Sequence, residues 1–171
     1  MEITPFYWLL SCFCLILASR LVFIRYFTVP ISVSDQWAAE AATLFTPWLH
    51  DSLTVSDLFI TRNQHPVIYT KLISLLLLIL NGYRWDTILE MIFNAVLAAG
   101  GTTLLLYLLY SLIGFHLPVL LVTFFMCVLP ISWNNTLSGF HSCWQLLMIF
   151  SLVAFWGLLT KPRFFPGGER V

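Results

Sequence analysis

Residues 87–112 read TILEMIFNAVLAAGGTTLLLYLLYSL, a run whose single ionisable side chain is Glu90. About 20 apolar residues carry a helix across a bilayer, so this run reads as a membrane span. Other apolar runs flank it on both sides, at residues 5–24, 66–81, 117–133 and 143–159. The last two approach the lower length limit for crossing. The composition points the same way. Hydrophobic residues make up 60% of the 171 positions and charged residues 9%, against about 25% charged in an ordinary soluble domain. A soluble chain of this size exposes too much of its surface to hide that apolar content, so lipid is the expected solvent.

The expected fold is all-α: a polytopic transmembrane helical bundle of about five hydrophobic helices, with a short interfacial helix in the first loop. It forms one domain, comprising a first helix (1–28), a polar loop (29–65), the remaining helices (66–160) and a basic tail (161–171). The first run lacks a basic residue before it and a small-residue cleavage site after it, and so reads as an uncleaved span. In the polar loop, Ser34 or Asp35 can cap a helix running to about Phe45, where Pro47 is expected to stop it. Trp37, Ala41, Leu44 and Trp48 would lie near its apolar side, with Asp35 and Glu40 on the polar side, as suits a membrane interface. A turn-rich stretch with Asp51, Asp57 and Arg62 follows.

The formal net charge is zero, which gives no electrostatic basis for binding nucleic acid. Cys12, Cys14, Cys127 and Cys143 sit inside apolar runs without metal-ligand spacing or a disulfide framework. They read as lipid- or core-facing residues. Asn134-Asn135-Thr136 is formally a glycosylation sequon, placed close to two membrane helices.

Ionisable groups are costly in hydrocarbon, so their positions are functional pointers. Four of the eight acids lie between positions 35 and 57, in the loop that also carries His50 and His65. Such a loop against a membrane can bind a divalent metal or supply a general base; it also reads as a solvated connector. His65 precedes a helix start, where free amides attract anions. Asn63, Gln64 and His65 would either add donors to an anion site or cap the helix. Arg20 and Arg25 close the first helix. They either snorkel to the interface or hold a lipid phosphate, and their five-residue spacing lets at most one face a given pocket. Asp86, Glu90 and Asn94 share one helix face, which suits interhelical hydrogen bonding better than catalysis.

Taken in order, these residues resemble the amino-terminal portion of bacterial polytopic glycosyltransferases of the GT-C superfamily. Three elements carry the resemblance. Ser34-Asp35-Gln36-Trp37 follows the first helix, where family members have paired acids before an aromatic. Asn63-Gln64-His65-Pro66 stands where they have Asn-Glu-His-Arg. Asn135-Thr136-Leu137-Ser138-Gly139-Phe140-His141 stands where they have Asn-x-x-x-Gly-Phe-Gln. Gln64, Pro66 and His141 depart from those patterns.

The resemblance implies transfer of a sugar from a polyprenyl-phosphate carrier at the outer face of a bacterial inner membrane. It makes Asp35 the catalytic base, or with His65 the ligand of a divalent cation such as Mg or Mn. Asn63, Gln64, His65, Arg20, Arg25, Asn135 and His141 would bind substrate. Family members continue through further helices, so the chain is expected to be truncated, inactive or completed by a partner chain. The alternative is a non-catalytic membrane scaffold or accessory subunit.

Basic residues favour the cytoplasmic side. With five plain crossings that rule places the first loop inside, whereas the resemblance places it outside. The conflict disappears if residues 87–133 make one net crossing, with a break at Gly100-Gly101 or Pro130.

Overall fold

The computed structural model describes residues 5–32, 36–61, 67–129 and 133–160. Helix α1 spans Pro5–Phe27 and is followed by a π-helix at Trp37–Phe45. Short helices α2 (Thr46–Leu49) and α3 (Val55–Phe59) lead to α4 (Ile68–Leu80) and then to the long α5 (Thr87–Ile113). Helix α6 (Leu117–Val128), the single-turn α7 (Trp133–Thr136), a 3-10 turn at Gly139–His141 and α8 (Ser142–Thr160) complete the order. The described residues contain no strand.

Among the described residues, three helical stretches are long and apolar enough to cross a membrane: Phe6–Phe27, Thr87–Ile113 and Gly139–Thr160. The expectation of about five spans meets a limit at α4 and α6, which have 13 and 12 residues. At about 1.5 Å per residue neither reaches about 20 Å, against a hydrocarbon core of about 30 Å.

Helix α5 is the axis of the fold. Its amino-terminal half packs on the end of α1 through Ile24, Met91 and Ala95, and Thr28 donates to the Met91 sulfur at 3.0 Å. Its far half meets the beginnings of α1 and α6 through Cys12, Leu106 and Leu120. The expected break at Gly100-Gly101 does not occur, because α5 runs unbroken through both glycines. Gly101 instead lets α8 approach. A side chain there would collide with Met148 and press on Ile149, which is how small residues serve helix contacts in membranes. Pro130, the other candidate break, lies outside the described residues.

Helix α4 lies along the π-helix rather than leaving it. Val67, just before α4, is buried with Ala39, and further along Leu75 and Leu78 are buried with Leu44 and Phe45. Both ends of α4 therefore sit in the layer that holds the first polar loop. Lys71 reinforces this arrangement by donating to the backbone carbonyls of Asp57 (2.7 Å) and Ile60 (3.0 Å), which close α3.

Two local expectations are corrected. Pro47 does not stop the helix. It enters the first turn of α2, where its missing N–H is harmless, and the chain turns only after His50. The π-helix also does not present Glu40 to water. Its buried positions are Ala39, Glu40, Leu44 and Phe45, while Trp37 and Trp48 are exposed. The wider i→i+5 turn places Gln36, Glu40 and Phe45 on one side, and that side faces the protein.

Candidate functional site

Two glutamates meet beneath the first polar loop. Glu40 comes from the π-helix and Glu90 from the first turns of α5; they are 0% and 4% exposed. Gln36 bridges them, its Nε2 donating to Glu40 Oε2 at 3.2 Å and to Glu90 Oε2 at 2.9 Å. Ser74 of α4 donates to Glu40 Oε1 at 2.5 Å, and the Trp85 indole donates to Glu90 Oε1 at 3.2 Å. Burial pushes the Glu40 carboxyl above its usual range, and the hydrogen bonds from Ser74 and Gln36 offset part of that rise.

Local sequence explains how each element reaches this point. Asp86 caps α5, its Oδ1 accepting from the N–H groups of Ile88 (2.9 Å) and Leu89 (3.2 Å). The cap fixes the first turn and aims Glu90 and Asn94, one turn apart, at the same neighbour. Asn94 Nδ2 donates to the carbonyls of Ser138 (2.9 Å) and Gly139 (2.7 Å), while its Oδ1 is buried without a partner among the described residues. This is the interhelical hydrogen bonding expected of that face. Gly139 is obligatory at this crossing, since a Cβ would collide with Glu90 and Gln36. From the other side, Ser142 donates to Thr70 of α4 at 3.1 Å.

The residues singled out from sequence fall into two groups. Asp35, Asn63, Gln64 and His65 lie outside the described residues. Arg20, Arg25, Asn135 and His141 are described. Arg20 turns inward, donating from Nη1 to Thr136 Oγ1 (3.1 Å) and from Nη2 to the Cys127 carbonyl (3.3 Å), with its Nε buried and without a partner among the described residues. Arg25 is exposed on another side of α1, so one arginine of the two faces inward, as the spacing required. Asn135 is half-buried in α7. His141 approaches the Asn134 carbonyl through Nδ1 at 3.3 Å.

Among the described residues no group of three or more His, Cys, Asp or Glu side chains forms a metal site. At the carboxyl pair every oxygen accepts a hydrogen bond from a protein donor. The cation expected on Asp35 and His65 concerns residues outside the described set. All four cysteines are free.

Glu90 was legible as an inward-facing acid. Its partner Glu40 was not, because an α-helical register puts Glu40 on the polar side of its helix. Ser74 and Trp85 carry no sequence signal beyond one hydroxyl in an apolar run and one indole at a helix entrance. Comparison of the chain with family models, curated proteins and solved structures finds no match.

Proposed function

We propose that this chain is a membrane glycosyltransferase-like protein of the GT-C type, acting on a sugar carried by a polyprenyl phosphate at the outer membrane face. One observation supports the reading above all. Three segments far apart in sequence, each bearing one of the family-like motifs, come together in space. Ala39 follows the Asp35 segment, Val67 follows His65, and Phe140 precedes His141; these three side chains bury one another in a single cluster. The carboxyl pair ties the same layer together through Gln36, next to Asp35 in sequence, and Gly139, two residues before His141.

In this reading Asp35 takes the proton of the acceptor hydroxyl as it attacks the sugar, and Asn63, Gln64 and His65 approach the carrier phosphate. Arg20 supplies positive charge from within the bundle. The partners described for it, Thr136 and the Cys127 carbonyl, are neutral, which leaves its charge available to an anion. Asn135 and His141 complete the wall from the second polar segment.

The path of the chain supports a compatible orientation. In this reading the first loop lies on one side, with α4 packed beside the π-helix near both its ends. A fourth crossing between α5 and α8 would return the end of α8 to the side of the amino terminus. With the loop outside, Lys161, Arg163 and Arg170 fall on the cytoplasmic side, as basic residues prefer.

The test is Asp35→Asn, which is expected to abolish sugar transfer while the protein stays in the membrane; transfer retained by this variant would overturn the assignment. A second reading, a non-catalytic scaffold, draws on the closed hydrogen bonding of the Glu40–Glu90 pair, which needs no substrate to satisfy it.

A further inference from the structure

We propose that the outer side of the α2–α4 layer holds a phospholipid whose headgroup carries a primary amine. This inference is independent of the transferase reading. Two adjoining cavities carry it. The first, of about 350 Å³, is lined by Trp48, Leu49, Asp51, Leu53 and Tyr83. The second, of about 360 Å³, shares Trp48 and Leu53 with it and continues as an apolar furrow between α3 and α4, along Leu58, Leu72, Leu76 and Ile79. One end is thus acidic and aromatic, and the other is built of aliphatic side chains.

The polar end has the chemistry of an ammonium site. Trp48 and Tyr83 offer two aromatic rings, whose faces attract a cation, and Asp51 adds a carboxylate on the same wall. That carboxylate accepts no hydrogen bond from any described residue and remains exposed. A negative group at this point repels an anionic headgroup and attracts a cationic tip.

The backbone singles out the same place. Asp51 (φ 53°) and Tyr83 (φ 61°) are the two non-glycine residues with positive φ among the described residues, and both line this cavity. A tyrosine in the left-handed region is uncommon. Such conformations persist where the surrounding structure over-determines them, and they gather at ligand clamps. Here one follows α2 and the other follows α4, so two separate turns bring an acid and a phenol onto one wall.

The furrow decides between a soluble amine and an amphiphile. Leu72, Leu76 and Ile79 are exposed along one face of α4. They lie within eight residues, about 10 Å of helix, and so form a track for an alkyl chain leading from the polar end. A molecule with a cationic tip and an acyl chain matches both cavities at once, and a phospholipid with an ethanolamine headgroup is that molecule in a bilayer.

The experiment is native mass spectrometry of the full chain released from nanodiscs containing equal phosphatidylethanolamine and phosphatidylglycerol. The expected result is roughly tenfold greater retention of the ethanolamine lipid by the wild-type protein. Asp51→Asn is expected to remove that preference while keeping the left-handed turn, which asparagine tolerates; circular dichroism checks that the fold is intact. Leu76→Trp, which fills the furrow, is expected to lower retention of both lipids. Equal retention of the two lipids by wild type, or an undiminished preference in Asp51→Asn, would overturn the proposal.

Discussion

Glu40 shows how one side chain is held by groups from separate elements. Its two oxygens accept from Ser74 and Gln36, so Glu40→Ala removes the acceptor of the buried Ser74 hydroxyl and one of the acceptors of Gln36. The expected loss is about 1–3 kcal/mol, read as a lowered thermal midpoint in detergent. Glu40→Gln keeps the shape and one acceptor oxygen, and is expected to lose less than half as much. Gly139 is constrained from the opposite direction, by lack of space. Gly139→Ala pushes a methyl group into Glu90 and Gln36, and an overpacked site of this kind typically costs about 1–3 kcal/mol. Its midpoint is expected to fall together with loss of the Gln36 bridge. An unchanged midpoint would mean that the 3-10 turn has room to retreat.

At the scale of elements, the π-helix sets which groups are buried, and burial sets how they titrate. The Glu40 carboxyl stands above its ordinary value of 4.5 because it is desolvated. Above that value, the docked π-helix holds a proton that the released one gives up, so raising the pH favours release. Stability from this group is full below the ordinary glutamate range and is lost as pH climbs through the raised value. The thermal midpoint is therefore expected to fall with rising pH in wild type and to flatten in Glu40→Gln. A parallel pH slope in both proteins would assign the effect elsewhere. Asp57 behaves oppositely. Hydrogen bonds from Thr54 hold its carboxyl below the usual range, and at the third position of α3 it serves as a local cap for that helix.

For the whole molecule the decisive feature is the course of α4. In the proposed reading, the second apolar run stays beside the first loop and does not cross, which keeps that loop on one side of the membrane. Single cysteines at Ser52 and Ser56, in a protein whose four native cysteines are replaced, are expected to label from outside intact cells with an impermeant reagent. Labelling only after lysis would place Asp35 and His65 in the cytoplasm and remove the basis for a donor carried at the outer face. The scaffold reading would then be preferred.

Sequence by itself determined the solvent and the class. The near absence of charge in long apolar runs fixes helices in lipid wherever those runs fold, and α1, α5 and α8 fall within a few residues of the expected limits. It also determined that Glu90 and Asn94 face inward, because a face repeating every four residues has nowhere else to go. Residues 66–81 read as a membrane span from their apolar run, and the structure instead gives the 13-residue helix α4 packed beside the π-helix. The burial of Glu40 was hidden too, because its partner Ser74 lies 34 residues away in sequence and a π-helical turn moved it to the inner side. Only the tertiary structure decided these points. A short helix takes its place from its neighbours, and a buried acid is tolerated only where distant donors arrive to meet it.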